Sequence, residues 1–145
     1  MDHRRPRARV SEDGRRGPRD VQESPVFSHT GVYATCPNER NLSDEQLKRV
    51  AAKGGLIGIG FWKVATCGKD AAAVARAIAH AVKVMGVRHV ALGSDFDGAV
   101  GQPFDAAGFP LITEALMKEG LSAADIKLVM GGNALRFLSE RLPAK

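Results

Sequence analysis

The sequence predicts an α/β fold, a parallel sheet of three strands covered by helices, behind a basic N-terminal tail. Three observations lead there. Two near-continuous apolar runs, Leu56–Phe61 and His89–Ser94, alternate with amphipathic helical patterns, and strands buried on both faces read as continuous apolar runs. A third short run, Val26–Thr30, precedes them. The texture also changes abruptly at Pro25: residues 1–24 are rich in Arg, Pro, Gly and Asp without apolar periodicity and are predicted to be disordered. Residues 25–145 form the second, folded region, within a chain of 145 residues long enough for one domain with one core.

The elements follow in order. Leu42–Lys53 opens with Ser43 and carries Gln46 three residues on, the pattern of a capping box. Leu47, Val50 and Ala51 form its apolar face, and Gly54–Gly55 stops it. The strand Leu56–Phe61 follows. Asp70 caps a second helix that runs through Met85, with Val74, Ile78, Ala81 and Met85 on one face and Gly86 at its end. After the strand His89–Ser94, Pro110 suits the first turn of a helix carrying Leu111, Ile112, Ala115 and Leu116. Ser122 with Asp125 resembles a further capping box, and Leu121 with Ile126 is placed as a hydrophobic staple. Gly131–Gly132–Asn133 breaks that helix, and a last one carries Leu135, Leu138 and Leu142.

Composition narrows the function classes. The net charge of +5 comes mostly from Arg4, Arg5, Arg7, Arg9, Arg15, Arg16 and Arg19. No aromatics interleave with them, so they read as a solvated tail and not as a nucleic-acid site. No stretch approaches the roughly 20 apolar residues of a membrane span, and no apolar core follows the basic start, so no signal peptide is indicated and the compartment is left open. Cys36 and Cys67 both lie in loops that follow strands. Their spacing alone leaves them as free thiols or as a pair, and excludes a zinc-finger pattern.

Candidate functional residues gather at strand ends. The run Val26–Phe27–Ser28–His29–Thr30 delivers His29 near its tip, and Val90–Ser94 delivers Asp95. A metal-type ligand and a carboxylate at the C-terminal ends of parallel strands are what a barrel enzyme places at its catalytic rim. Other polar residues have plainer readings. His80 shares a helix face with Arg76 and Lys83 and reads as solvated, His89 begins a strand at the opposite rim and reads as structural, and Asp97 reads as satisfying loop backbone. Trp62 either lines the pocket or packs under a loop.

Four motifs in combination carry a resemblance: Ser28–His29–Thr30, Arg40–Asn41–Leu42–Ser43–Asp44, Gly93–Ser94–Asp95–Phe96–Asp97–Gly98, and Gly132–Asn133 followed by Leu135–Arg136. From Val26 to about Leu142 the chain resembles the C-terminal third of the membrane dipeptidase (renal dipeptidase) family of zinc metallopeptidases. The resemblance implies a partial TIM-like (β/α)8 barrel, its last three βα units plus C-terminal helices. It implies His29 as a ligand of one of two zinc ions, Arg40 as the group that binds the C-terminal carboxylate of a dipeptide substrate, and Asp95 as the catalytic carboxylate. It adds that some members join the loops of Cys36 and Cys67 by a disulfide. Each role suits its side chain: imidazole is a good zinc ligand, guanidinium grips a carboxylate through two hydrogen bonds, and a carboxylate can take and pass on a proton. Family members also carry a His-x-Asp motif, a bridging Glu and a further His, none with a counterpart here. The chain is therefore expected to be a truncated dipeptidase, inactive alone, with the alternative of a non-catalytic remnant. Its open sheet edges are expected to favour self-association.

Overall fold

The computed structural model describes residues 24–143. The predicted disordered tail, residues 1–24, falls outside that range apart from Ser24. In chain order the elements are β1 (Val26–Thr30), α1 (Asp44–Ala52), β2 (Leu56–Ile59), α2 (Lys63–Thr66), α3 (Ala71–Met85), β3 (Val90–Leu92), α4 (Phe109–Lys118), α5 (Ala123–Lys127) and α6 (Asn133–Arg141). The three strands form one parallel sheet in the order β1-β2-β3. The predicted α/β class and its three-stranded parallel sheet hold.

The helices start where the side chains can satisfy them. The Ser43 hydroxyl accepts from the Gln46 amide and the Gln46 side chain accepts from the Ser43 amide, completing the capping box at α1. Asp70 accepts from the Ala73 amide at α3, and Ser122 from the Asp125 amide at α5. Each such cap is worth about 1 kcal/mol. Two strands are shorter than the apolar runs predict. β2 ends at Ile59 because Phe61 turns into an aromatic cluster and Trp62 starts α2, a helix the sequence pattern does not announce. β3 begins at Val90 because Val87–His89 forms a tight 3₁₀ turn, where His89 Nδ1 lies 2.8 Å from the Gly55 carbonyl oxygen.

Alternation along the strands divides the packing between the two faces of the sheet. Ile57, Ile59 and Val90 pack with Leu47 and Val50 of α1, with Val74, Ile78 and Ala81 of α3, and with Ile112 and Leu116 of α4. On the other face Leu56 and Ala91 meet Phe137 of α6. His80, expected to be solvated, instead lies with Nε2 2.8 Å from Asp44 Oδ1 and ties α3 to the first turn of α1. β1 is an edge strand, and Val26 and Phe27 stay exposed on it.

α6 departs from its predicted orientation. Leu135, Leu138 and Leu142 face outward, Leu135 at 70% exposure, while Asn133 and Phe137 are buried. The reason is a hydrogen-bond demand: the Asn133 side-chain amide donates to the carbonyls of Val87 (2.6 Å) and Val90 (2.8 Å). That polar anchor rotates the helix and presents Phe137 to the sheet. Arg136 adds a bond to the Arg88 carbonyl at 2.8 Å. Asn133→Ala is expected to cost about 1–3 kcal/mol, the penalty for stranding buried carbonyls. Urea unfolding followed by circular dichroism measures it; a loss below about 0.5 kcal/mol, the scatter of ordinary surface changes, would rule the anchor out.

Candidate functional site

At the C-terminal ends of the parallel strands, Ser28, His29, Asp95 and Asp97 line one open cavity of about 540 Å³, floored by Gly93. His29 reaches it from the fourth residue of β1. Between Phe27 and Thr30 that strand advances three residues while β2 advances two, from Ile57 to Ile59. The extra residue is a bulge, a device that re-aims side chains beside functional sites. The Ser28 hydroxyl lies 2.9 Å from His29 Nδ1, in hydrogen-bond contact.

The bulge also drives the Ser28 carbonyl into the sheet. A Cβ at Gly58 would sit 2.3 Å from that oxygen, and one at Gly93 would sit 2.2 Å from it. Neither position tolerates a side chain, because the obstructing atom is backbone. Bare main chain therefore forms the sheet beneath His29.

Asp95 follows β3 by three residues and has φ 60°, in the left-handed region that Asp tolerates better than most residues. Two features hold it there. The Gln102 side-chain amide donates to both the Ser94 and Asp95 carbonyls, each at 3.0 Å. The next residue, Phe96, packs on Phe61 with ring centroids 5.7 Å apart and stacks on Phe109 at 6.0 Å. Gln102 thus serves the loop backbone, the task predicted for Asp97, whose side chain belongs to the cavity lining.

Arg40 lies in the loop after β1, exposed, with its guanidinium 5.1 Å from the centre of the Trp62 ring. That indole also meets His29, edge-on with ring centroids 5.7 Å apart. So the three predicted site residues, His29, Arg40 and Asp95, come to the same end of the sheet: His29 and Asp95 share the cavity, and Arg40 joins through Trp62. Asn41, buried, braces the Arg40 loop by donating to the carbonyls of Cys36 (2.8 Å) and Ala65 (3.1 Å). Cys36 and Cys67 are joined as a disulfide with Cα atoms 5.1 Å apart. The bracing by Asn41 and Gln102 is not legible in the sequence. Of the two readings of Trp62, lining the pocket or packing under a loop, the second fits, since it is buried against Arg40 and His29 and does not line the cavity.

Metal donors are sparse. Among the described residues no group of three or more His, Cys, Asp or Glu side chains could hold a metal ion. Zinc takes four ligands in structural sites and three protein ligands in catalytic ones. The described residues do not make a metal site by themselves.

Comparisons with known proteins bear on this arrangement. The pattern of the family described as membrane dipeptidase (peptidase family M19) matches residues 8–143. The dipeptidase aclJ of Aspergillus oryzae is 36% identical over 130 residues, 83% of this chain and 31% of that protein. Among solved structures, the dipeptidase AC, a metallopeptidase of family M19, superposes with a TM-score of 0.72 at 28% identity. A metallopeptidase from Rhodobacter sphaeroides, liganded with a phosphinate mimic of the dipeptide L-Ala-D-Ala, gives 0.71 at 27% identity. In both cases the match covers 81% of this chain and 36% of the solved chain. The chain spans about a third of the length of these relatives. Among the described residues no helix is long and apolar enough to cross a membrane.

Proposed function

Because the chain belongs to the membrane dipeptidase family (peptidase family M19), we propose that it carries the carboxylate-binding and proton-transferring part of a dipeptide-hydrolysing site. The fold in this reading is the last three βα units of a TIM-like barrel, folded over residues 25–145 behind a basic tail. The observation that carries the reading is the gathering of His29, Asp95 and, through Trp62, Arg40 at the C-terminal ends of parallel strands, where barrel chemistry is done. Support for the barrel comes from β1, whose outer edge has no partner among the described residues and borders a groove of about 440 Å³ lined by Pro25, Phe27, Leu42 and Val50 together with Gln46, Arg49 and Lys53, a seat for a preceding strand–helix unit. The same edge, with that of β3, is the surface for self-association.

Each residue has a task in this reading. Arg40 grips the free C-terminal carboxylate of the dipeptide with two parallel hydrogen bonds. Asp95 takes a proton from the attacking water as it adds to the peptide carbonyl, then gives it to the leaving amine as the C–N bond breaks. His29 is the metal donor: with Nδ1–H given to Ser28 Oγ, its Nε2 lone pair is free for a ligand. Zinc dependence belongs to the proposal for the complete family site, of which His29 supplies one donor; the described residues offer no group of three donors, so the chain alone is proposed to be inactive.

The test combines metal content with binding. Dialysed against zinc, the chain is expected to hold well under one ion and not to hydrolyse L-alanyl-D-alanine. It should still bind that dipeptide in calorimetry, and Arg40→Met should weaken binding about 10- to 100-fold, the worth of charge-assisted bonds to a carboxylate. Unchanged binding in Arg40→Met would overturn the carboxylate role. Zinc-dependent turnover lost in His29→Ala would overturn the inactivity and point to residues outside the described range, His3 and Glu23 first.

A further inference from the structure

Trp62 is the single tryptophan of the chain, and it touches both Arg40 and His29. Its ring centre lies 5.1 Å from the Arg40 guanidinium carbon and 5.7 Å from the centre of the His29 imidazole, at an interplanar angle of 65°. We propose that Trp62 is a positioning residue that fixes the spacing between Arg40 and His29, an inference that rests on the carboxylate-binding and metal-donor roles given to those two side chains. The indole is 5% exposed and is not among the side chains that line the cavity. It acts through its neighbours and is not a wall against the substrate.

Several constraints immobilise it. A Cβ at Gly60 would sit 2.0 Å from Cζ3 of the indole, so the ring lies directly across the bare backbone that ends β2. The Trp62 backbone is extended and opens α2, its carbonyl accepting from the amides of Ala65 (3.0 Å) and Thr66 (3.3 Å). Asn41, next to Arg40, donates to the carbonyls of Val64 and Ala65 in that same helix. The disulfide Cys36–Cys67 ties the two loops again. The Arg40 loop, α2 and the indole are thus braced against one another.

The physical benefit concerns Arg40. A long exposed arginine loses rotamer freedom when it binds a carboxylate. A guanidinium already resting on an aromatic face, held by cation–π attraction, has lost part of that freedom beforehand, and preorganisation of this kind raises affinity. The edge contact to His29 sets the distance from the carboxylate grip to the donor beside the scissile bond. Removing the ring should therefore leave Arg40 present and charged but unplaced.

The experiment reads Arg40 directly. In the full chain, the Arg40 Nε–H proton should carry an upfield ring-current shift in NMR spectra. Trp62→Leu should abolish it, and Phe137→Leu, a core change on the other face of the sheet, should leave it. Gly60→Ala, which displaces the indole without deleting it, should also abolish it and serves if Trp62→Leu does not fold. L-alanyl-D-alanine should bind Trp62→Leu about two- to fivefold more weakly than wild type, with Trp62→Phe between the two. An unshifted Arg40 signal in wild type, or dipeptide binding unchanged in Trp62→Leu, would overturn the proposal. If wild type bound no dipeptide while the shift was present and lost in both variants, the dipeptide reading would fail and the placement of Arg40 by Trp62 would stand.

Discussion

Phe61→Ala is expected to lower the unfolding free energy by about 3–5 kcal/mol, the range for emptying a buried aromatic site, and to release the loop that carries Asp95. Phe61 is 1% exposed and is the hub of four rings: its centroid lies 5.7 Å from Phe96, 5.6 Å from Phe104 and 6.2 Å from Phe109. It also belongs to the core shared by the sheet and helices α1, α3 and α4. Truncation therefore acts twice. It leaves a void against the sheet, and it withdraws the packing that holds Phe96 and, with it, the left-handed backbone of Asp95. Urea denaturation gives the stability, and hydrogen exchange at the Gly98 amide, which donates to the Asp95 carbonyl at 3.1 Å, gives the loop. Exchange at Gly98 should quicken by more than in Ile78→Ala, which opens a comparable void in α3 away from the loop. Equal exchange in the two variants would mean that the rings do not govern Asp95.

Replacing both cysteines, Cys36→Ser with Cys67→Ser, is expected to cost about 2–4 kcal/mol. The bridge spans 31 residues, and in the chain-entropy account a loop of that size restrains the unfolded state by an amount near the top of that range. Part of the loop architecture should survive, because Asn41 still donates to the carbonyls of Cys36 and Ala65. Comparing urea midpoints of wild type with and without reductant, and of the double variant, checks the size. The reduced wild type and the double variant should coincide; a double variant as stable as the oxidised wild type would remove the bridge from the stability of the fold.

Much of this fold was legible because its determinants are local. Ser43 with Gln46, Asp70 and Ser122 announce helix starts through side chains that reach only three residues ahead. The strand-end placement of His29 and Asp95 was legible because each closes an apolar run, whereas the roles expected of them came from the family motifs around them. What escaped depends on partners far along the chain. The spacing of Leu135, Leu138 and Leu142 looks like a buried stripe, yet Asn133 has carbonyl partners 43 and 46 residues away and turns the helix to reach them. His80 looks solvated on its own helix, and only the approach of α1 gives it Asp44. Gln102 and Trp62 carry no periodicity at all; their roles arise where a loop folds back on a strand end. Local rules recovered the elements apart from the short helix α2, and tertiary contacts decided which polar side chains position the site.

The Ser28 carbonyl lodged between Gly58 and Gly93 has an evolutionary consequence. The support beneath His29 is written in backbone, so substitution at positions 58 and 93 has nothing to offer except collision. Sequence change that alters what the cavity admits is thereby channelled to the exposed positions of the surrounding loops, residues 33–40 and 94–104, such as Tyr33 and Val100, and away from Cys36, Phe96, Gln102 and Phe104, which hold those loops in place. Laboratory selection for altered ligand preference should accordingly accumulate changes in those two segments and leave both glycines intact.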